Sequence, residues 1–269
     1  MKNIHPSAVI DSTAKIDPSA VIGPGAIIGR DAVIGAGTVV GAHALVEFAT
    51  LGKNNLLSPG CYIGTPPQDV KYAGEKTRLI MGDNNVVREN VTLNRATPAT
   101  GETRIGSNCM FMTNSHVAHD CRIGNNVIFV NSAGTAGHVH VGDFAILGGL
   151  AGVHQFVRIG RYCMVGGGSM ITKDLLPFCT CQGDRARLRG LNRVGLRRAG
   201  FSPSAISAVK SAYKTIFMSG LRLQEAVDRL KSSQPGPEVA ELLAFIEAPS
   251  RRGLTRASRA ASVPEEVSI

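Results

Sequence analysis

The chain has 269 residues, 43% of them hydrophobic, with 29 Lys and Arg against 20 Asp and Glu and a formal net charge of +9. That length and apolar content exclude a chain disordered throughout, and allow one large domain, or one with an appendage, around a sizeable core. With 31 glycines, no Trp and 5% aromatics, aliphatics must fill the core on a backbone that turns often, which disfavours an ordinary helical bundle.

Residues 1–6 lead into no unbroken apolar run of the signal-peptide kind, and no later stretch reaches the roughly 20 apolar residues of a membrane span. A cytoplasmic protein without an integral membrane segment is expected. From residue 4 an aliphatic recurs every six positions, at Ile4, Ile10, Ile16, Ile22, Ile28, Ile34, Val40 and Val46, with Gly following at 23, 29, 35 and 41. The fourth residue after each aliphatic is usually small, as at Ala20, Ala26 and Ala32. After a one-residue slip the spacing resumes at Leu51, Leu57 and Ile63, then at Met81, Val87 and Leu93, and runs from Ile105 to Ile171 with Thr135 its one member that is not apolar.

A helix needs apolar spacings of three and four, and an amphipathic strand a spacing of two, so a strict six fits neither. It fits the hexapeptide repeats of a parallel β-helix, with one short strand per hexad and three hexads closing each triangular coil. Coils stack at roughly 4.8 Å, so backbone groups pair with the coil above or below. Residues 65–80 and 94–104 interrupt the hexads, and such insertions leave a solenoid as loops that are often functional.

The hexads stop at Gly183. Ser202 and Pro203 read as N-cap and first helical residue, and an apolar stripe from Ala205 to Phe217 runs to Gly220. Leu223, Val227 and Leu230 predict a second helix, and residues 238–247 a third. The fold class read here is all-β: a β-helix over 1–183, a C-terminal α-helical domain over 184–248 and a flexible tail over 249–269. Charge divides the same way: residues 1–180 carry 14 basic and 12 acidic residues, residues 181–269 carry 15 and 8.

Cys61, Cys109, Cys121 and Cys163 fall at the small position of the hexad and read as packing residues; Cys179 and Cys181 lack a partner pair at zinc-finger spacing, so no metal is expected. His5 and His43 read as bland. The other five histidines, His116, His119, His138, His140 and His154, cluster in the later coils. The three-hexad coil stacks His119, Gly137 and Gln155 in one column and His138 above Asp120, with His154 one residue before Gln155. This arrangement suits general-base catalysis. Asp120 would orient His119 and stabilise its imidazolium, and the Gly137 N–H would donate to a developing oxyanion. No Ser or Cys pairs with His119 as a nucleophile, so direct attack by the acceptor in a metal-free, cofactor-free acyl transfer is expected.

The segment Gln68-Asp69-Val70-Lys71-Tyr72-Ala73-Gly74-Glu75, the motif His116-Val117-Ala118-His119-Asp120-Cys121, the run His154-Gln155-Phe156 and the stretch Gly195 to Phe201 resemble the acyl-carrier-protein-dependent UDP-N-acetylglucosamine O-acyltransferases of lipid A synthesis. The resemblance covers residues from about 4 to 256. It implies a left-handed coil and a homotrimer with active sites in clefts between neighbouring β-helices. There the sugar 3-hydroxyl attacks the thioester of a 3-hydroxyacyl chain on acyl carrier protein. It casts His119 as base, Asp120 behind it and Gly137 as oxyanion donor. His116, His138, His154 and Gln155 would surround sugar, acyl and phosphate groups, and Asp69 and Lys71, with Gln68 nearby, would reach sugar and chain. Asn192 and Arg198 match nucleotide-side positions, and Gly167 a position that gates acyl length. Asn94 and Val194 depart from the family pattern, where His and Glu stand.

Arg185, Arg187, Arg189, Arg193, Arg197 and Arg198 would steer the acidic carrier protein, and no nucleic-acid fold accompanies them. Three rival readings remain at this level: an N-acyltransferase of the same fold acting on an amino sugar, a β-helical carbonic anhydrase with three metal-binding histidines, and a non-enzymatic scaffold.

Overall fold

In the computed structural model, residues 3–258 are described. Their strands form three sheets. The first has nine strands, from Val9–Ile10 to Met170–Ile171. The second has eight, from Lys15–Ile16 to Arg158–Ile159, and the third has ten, from Val21–Ile22 to Arg187–Leu191. Consecutive strands of the repeat pass from one sheet to the next, so the chain winds round a prism as a left-handed parallel β-helix with a C-terminal helical part.

The register reproduces the predicted three-hexad coil: His116 pairs with Gly134, and Gly134 with Gly152. Val33 pairs with Thr50, one position short of a full coil, which is the slip. Tyr62 pairs with Thr92, and Thr92 with His116, so the first interruption lengthens its coil by the equivalent of two hexads and the second by one. The first interruption is shorter than expected, because Arg78–Met81 already forms a strand of the second sheet.

One aliphatic per hexad points inward. Ile28, Val40, Leu57, Leu93, Val117 and Leu147 have 0% exposure, and Phe111 and Phe129 pack inside the prism with their rings tilted by 35° and centroids 5.2 Å apart. Each such side chain contributes about 1.5–3 kcal/mol on burial. Corners need a left-handed residue, and Asn84, Asn90, Asn108, Asn114, Asp120 and Asn126 supply it, with φ from 57° to 63°. Asn and Asp tolerate that region better than other side chains with a Cβ. All six cysteines are buried and free. Burial pushes their thiols up, to about 12 for Cys61 and about 11 for Cys109 and Cys121.

Beyond the last coil, Cys179–Gln182 pairs antiparallel with Arg187–Leu191. The latter is a strand inside the region read as helical. Its Leu188 is buried between arginines that face out, the alternation of an edge strand. Four helices follow: α1 (Arg193–Arg198), α2 (Pro203–Met218), α3 (Leu223–Ser232) and α4 (Pro237–Glu247). Ser202 Oγ accepts from the Ala205 N–H and caps α2 as expected, whereas α1 is a helix the sequence pattern did not announce.

Residues 249–258, part of the segment expected as a flexible tail, pack along the last coil. Leu254 bridges to Asp174 and Ala257 to Leu188, Ser250 Oγ donates to Asp174 at 2.6 Å, and Thr255 is buried. The rest of that expected tail, 259–269, lies outside the described residues. Among the described residues no helix is long and apolar enough to cross a membrane.

Candidate active site

The corner between the first and second sheets turns at Ala118 to Cys121, between strands His116–Val117 and Arg122–Ile123. Asp120 sits there at φ 61°. That left-handed turn brings its carboxylate back to His119, with Nδ1 and Oδ2 2.6 Å apart and both residues buried. With its proton committed to Asp120, Nδ1 leaves Nε2 as the basic nitrogen.

The second interruption forms a cradle for this carboxylate. Thr97 Oγ1 donates to Oδ2 at 2.8 Å, Thr100 Oγ1 donates to Oδ1, the Thr97 N–H approaches both oxygens at 3.3 Å, and the Asp120 N–H donates to Thr103 Oγ1 at 2.8 Å. Burial by itself would push the Asp120 carboxyl up. Hydrogen bonds from His119, Thr100 and Thr97 outweigh it and hold the group at about 2. Asp120 is therefore an anion at every ordinary pH.

One coil on, Gly137 stands over the imidazole. A Cβ there would lie 2.6 Å from His119 Nε2 and 3.0 Å from Nδ1, so only Gly fits without displacing the ring. The Gly137 N–H has no hydrogen-bond partner among the described residues. His138 is above Asp120, with Nε2 3.5 Å from Oδ2, its ring edge-on to His119 at 5.4 Å and stacked on Phe156 at 4.7 Å. The Arg251 guanidinium lies 4.4 Å over Phe156. Burial pushes His138 down, and Asp120 only partly opposes it. His116 is pushed down by burial too, and its Nδ1 shares a hydrogen bond with Thr92 Oγ1 at 2.7 Å. Both rings are neutral near pH 7 and can serve as polar contacts.

The other expected residues distribute unevenly. Gln155 completes the column above Gly137, and His154 is exposed with its Nδ1 3.1 Å from the Gln155 carbonyl oxygen. Asp69 accepts from the Lys71 N–H at 2.9 Å, and its charge reaches His138, so the first loop faces this corner; Gln68 and Lys71 are exposed on it. Arg95 anchors that loop through Glu47 Oε1 at 3.0 Å, the Gly64 carbonyl at 2.8 Å and Tyr72 Oη at 3.2 Å, and Asn94 beside it donates to Thr65 Oγ1 at 2.9 Å.

Gly167 lies elsewhere, against the Gly149 backbone at the corner between the third and first sheets. Asn192 caps α1, accepting from the Gly195 N–H, and donates to the Tyr162 carbonyl at 2.9 Å; Arg198 is exposed in the last turn of α1. No hydrogen bond, ion pair or ring contact joins these three to His119 among the described residues. Conversely, Thr97, Thr100, Thr103 and Arg251 belong to the candidate site and have no role assigned from sequence, and Phe156, part of the His154-Gln155-Phe156 run but likewise without a role, packs on His138. The three-hexad register could have found Phe156, two coils above Asp120. The threonines, spaced three apart in an interruption, offered a weaker signal and Arg251 none.

His119, Asp120 and His138 also lie close enough to hold a cation, their ligand atoms within 4.8 Å of one another. Such an ion would displace the hydrogen bonds that Asp120 already accepts from His119, Thr97 and Thr100.

Residues 174–255 match the family description "Udp N-acetylglucosamine O-acyltransferase; Domain 2", and residues 7–42 and 102–137 match "Bacterial transferase hexapeptide (six repeats)". An acyl-(acyl-carrier-protein)-UDP-N-acetylglucosamine O-acyltransferase of Thermodesulfovibrio yellowstonii is 49% identical over 259 residues, covering 95% of this chain and 100% of its own. That of Syntrophobacter fumaroxidans is 45% identical over 94% of this chain and 99% of its own. Among solved structures, LpxA from Acinetobacter baumannii superimposes with a TM-score of 0.92 at 43% identity, over 94% of this chain and 100% of its own. The UDP-N-acetylglucosamine acyltransferase from Campylobacter jejuni gives 0.90 at 38% identity, over 95% and 100%.

Proposed function

The chain belongs to the UDP-N-acetylglucosamine O-acyltransferase family, and from that membership and the geometry at His119 we propose how it performs the family's reaction. It is an acyltransferase that moves an acyl chain from acyl carrier protein to UDP-N-acetylglucosamine in lipid A biosynthesis. In our reading the donor is a 3-hydroxyacyl thioester and the acceptor the sugar 3-hydroxyl. His119 Nε2 takes the hydroxyl proton as the oxygen bonds to the thioester carbonyl carbon, and the carbonyl oxygen becomes an oxyanion. The Gly137 N–H donates to that oxyanion. As the tetrahedral intermediate collapses, the carbon–sulfur bond breaks and the imidazolium returns its proton to the departing thiol, so charge and proton both balance. Asp120, held ionised at about 2, stabilises the imidazolium in between.

The observation that carries this mechanism is the stack of Asp120, His119 and Gly137, in which Asp120 engages Nδ1, Nε2 is left free, and a glycine whose N–H has no partner among the described residues lies against the imidazole one coil on. Asp69, Lys71 and Gln68 on the first loop, with His116, His138, His154 and Gln155, would line the substrate cleft. Gly167, Asn192 and Arg198 serve a site only if a neighbouring copy supplies them, as a trimer with clefts between β-helices would. Two faces of the prism support that assembly. Val21, Val39 and Leu56 project from the third sheet, and Val9, Ile27 and Tyr62 from the first, all at least 36% exposed. Two different apolar faces on one chain suit the head-to-tail contacts of a closed ring. Arginines 185–198 would steer the carrier protein, with salt slowing the encounter.

Incubation of the purified protein with 3-hydroxyacyl carrier proteins of several chain lengths and UDP-N-acetylglucosamine tests the substrates. Acylated sugar nucleotide is expected; turnover on a UDP-amino sugar alone would move the assignment to an N-acyltransferase.

A further inference from the structure

The second sheet carries a feature that this reaction leaves unused. Its outward residues at successive rungs are Arg104, Arg122, His140 and Arg158, paired in register one above another. The same rungs are His116, Gly134 and Gly152 on the first sheet and Met110, Ile128, Ile146 and Met164 on the third, so the basic ladder belongs to one face. Glu102 serves both Arg78 and Arg104, Asp174 serves Arg158, and Glu241 serves Arg161. Four guanidinium groups thus share three carboxylates. Arg122 is exposed and has no hydrogen-bond or ion-pair partner among the described residues, and His140 next to it makes no side-chain hydrogen bond there.

A ladder of this kind on an open surface would be a solvated charged face. Here it forms one wall of a cleft of about 700 Å³, whose other wall is the α4 side of the molecule at Ala244, Phe245 and Ala248. Arg158 fixes that wall: its guanidinium lies 4.5 Å over the Phe245 ring and donates to the Phe245 carbonyl at 3.2 Å. The cleft runs past Gly124 and Gly142, toward the corner between the second and third sheets, and neither His119 nor His138 lines it. Its volume is that of a small-molecule site. Adjacent rungs roughly 4.8 Å apart let two side chains grip one tetrahedral anion.

We propose that the cleft between the second sheet and α4 binds a phosphate monoester, with the dianion held by Arg122, His140 and Arg104 and any apolar substituent lying along Phe245, Ala244 and Ala248. The phosphate could come free in solution or on a single-chain lipid.

Titration calorimetry on the full-length protein distinguishes these, with UDP-N-acetylglucosamine present at saturation so that the catalytic site is filled. The probes are inorganic phosphate and a lysophosphatidate below its critical micelle concentration. Saturable binding of one molecule per chain is expected, weakened at least tenfold by Arg122→Glu and less by Arg122→Gln, with acyl transfer unchanged in both variants. Lysophosphatidate binding at least tenfold tighter than phosphate identifies the lipid source, and equal affinities the free anion. No saturable binding of either probe, or binding that both Arg122 variants leave within twofold of wild type, would overturn the proposal.

Discussion

Asp120 accepts hydrogen bonds from His119, Thr97 and Thr100 while almost wholly buried, and its carboxyl is lowered from 3.8 to about 2 as a result. A depressed carboxyl stabilises the fold fully above its unfolded value, and that contribution is lost as pH falls through the folded one. Urea unfolding of wild type should therefore weaken between pH 4 and 2 more steeply than that of Asp120→Asn; parallel curves would contradict the bonding described. At Gly137 the constraint is steric. The Cβ of Gly137→Ala must push the His119 ring aside, and we expect kcat to fall by about 10² or more while the circular dichroism spectrum is unchanged. The sequence made His119, Asp120 and Gly137 legible because a fixed three-hexad coil converts spacing into position. Thr97 and Thr100 were not, since a threonine in a loop looks the same whether it faces water or a buried carboxylate.

Among elements, the repeat announced itself through inward aliphatics six residues apart, and α2 through Ser202 and Pro203. The loops and the last ten described residues did not, because what holds them is remote in sequence. Arg95 reaches back to Glu47 and Gly64, and Ser250, Arg252 and Thr255 bond to Asp174, Thr172 and Lys173. A polar run such as Ser250-Arg251-Arg252 reads as solvated until those partners are known. Arg95→Ala leaves Glu47 and the Gly64 carbonyl unpaired at the base of the first loop. We expect a loss of about 3 kcal/mol in chemical denaturation, together with a raised KM because Asp69 and Lys71 lose their support. A stability within about 0.5 kcal/mol of wild type, the scatter of surface substitutions, would show that the loop stands without it.

At the scale of the whole molecule, the three faces of the prism divide the work. In the early coils the first and third present apolar residues, and in the later coils the second presents charge. Leu56, 46% exposed on the third sheet, is central to this division. Sedimentation should find wild type at three times the mass of one chain and Leu56→Glu shifted toward single chains, with acyl transfer falling in step if, as proposed, each cleft draws Gly167 and Arg198 from a neighbour. A trimer undisturbed by that charge would place the interface elsewhere. The mechanism itself meets its most direct test in the single-turnover rate of acyl transfer from 3-hydroxyacyl carrier protein to UDP-N-acetylglucosamine by His119→Ala, at wild-type mass and fold. We expect a loss of at least about 10²-fold; a rate within a fewfold of wild type would show that His119 is not the base.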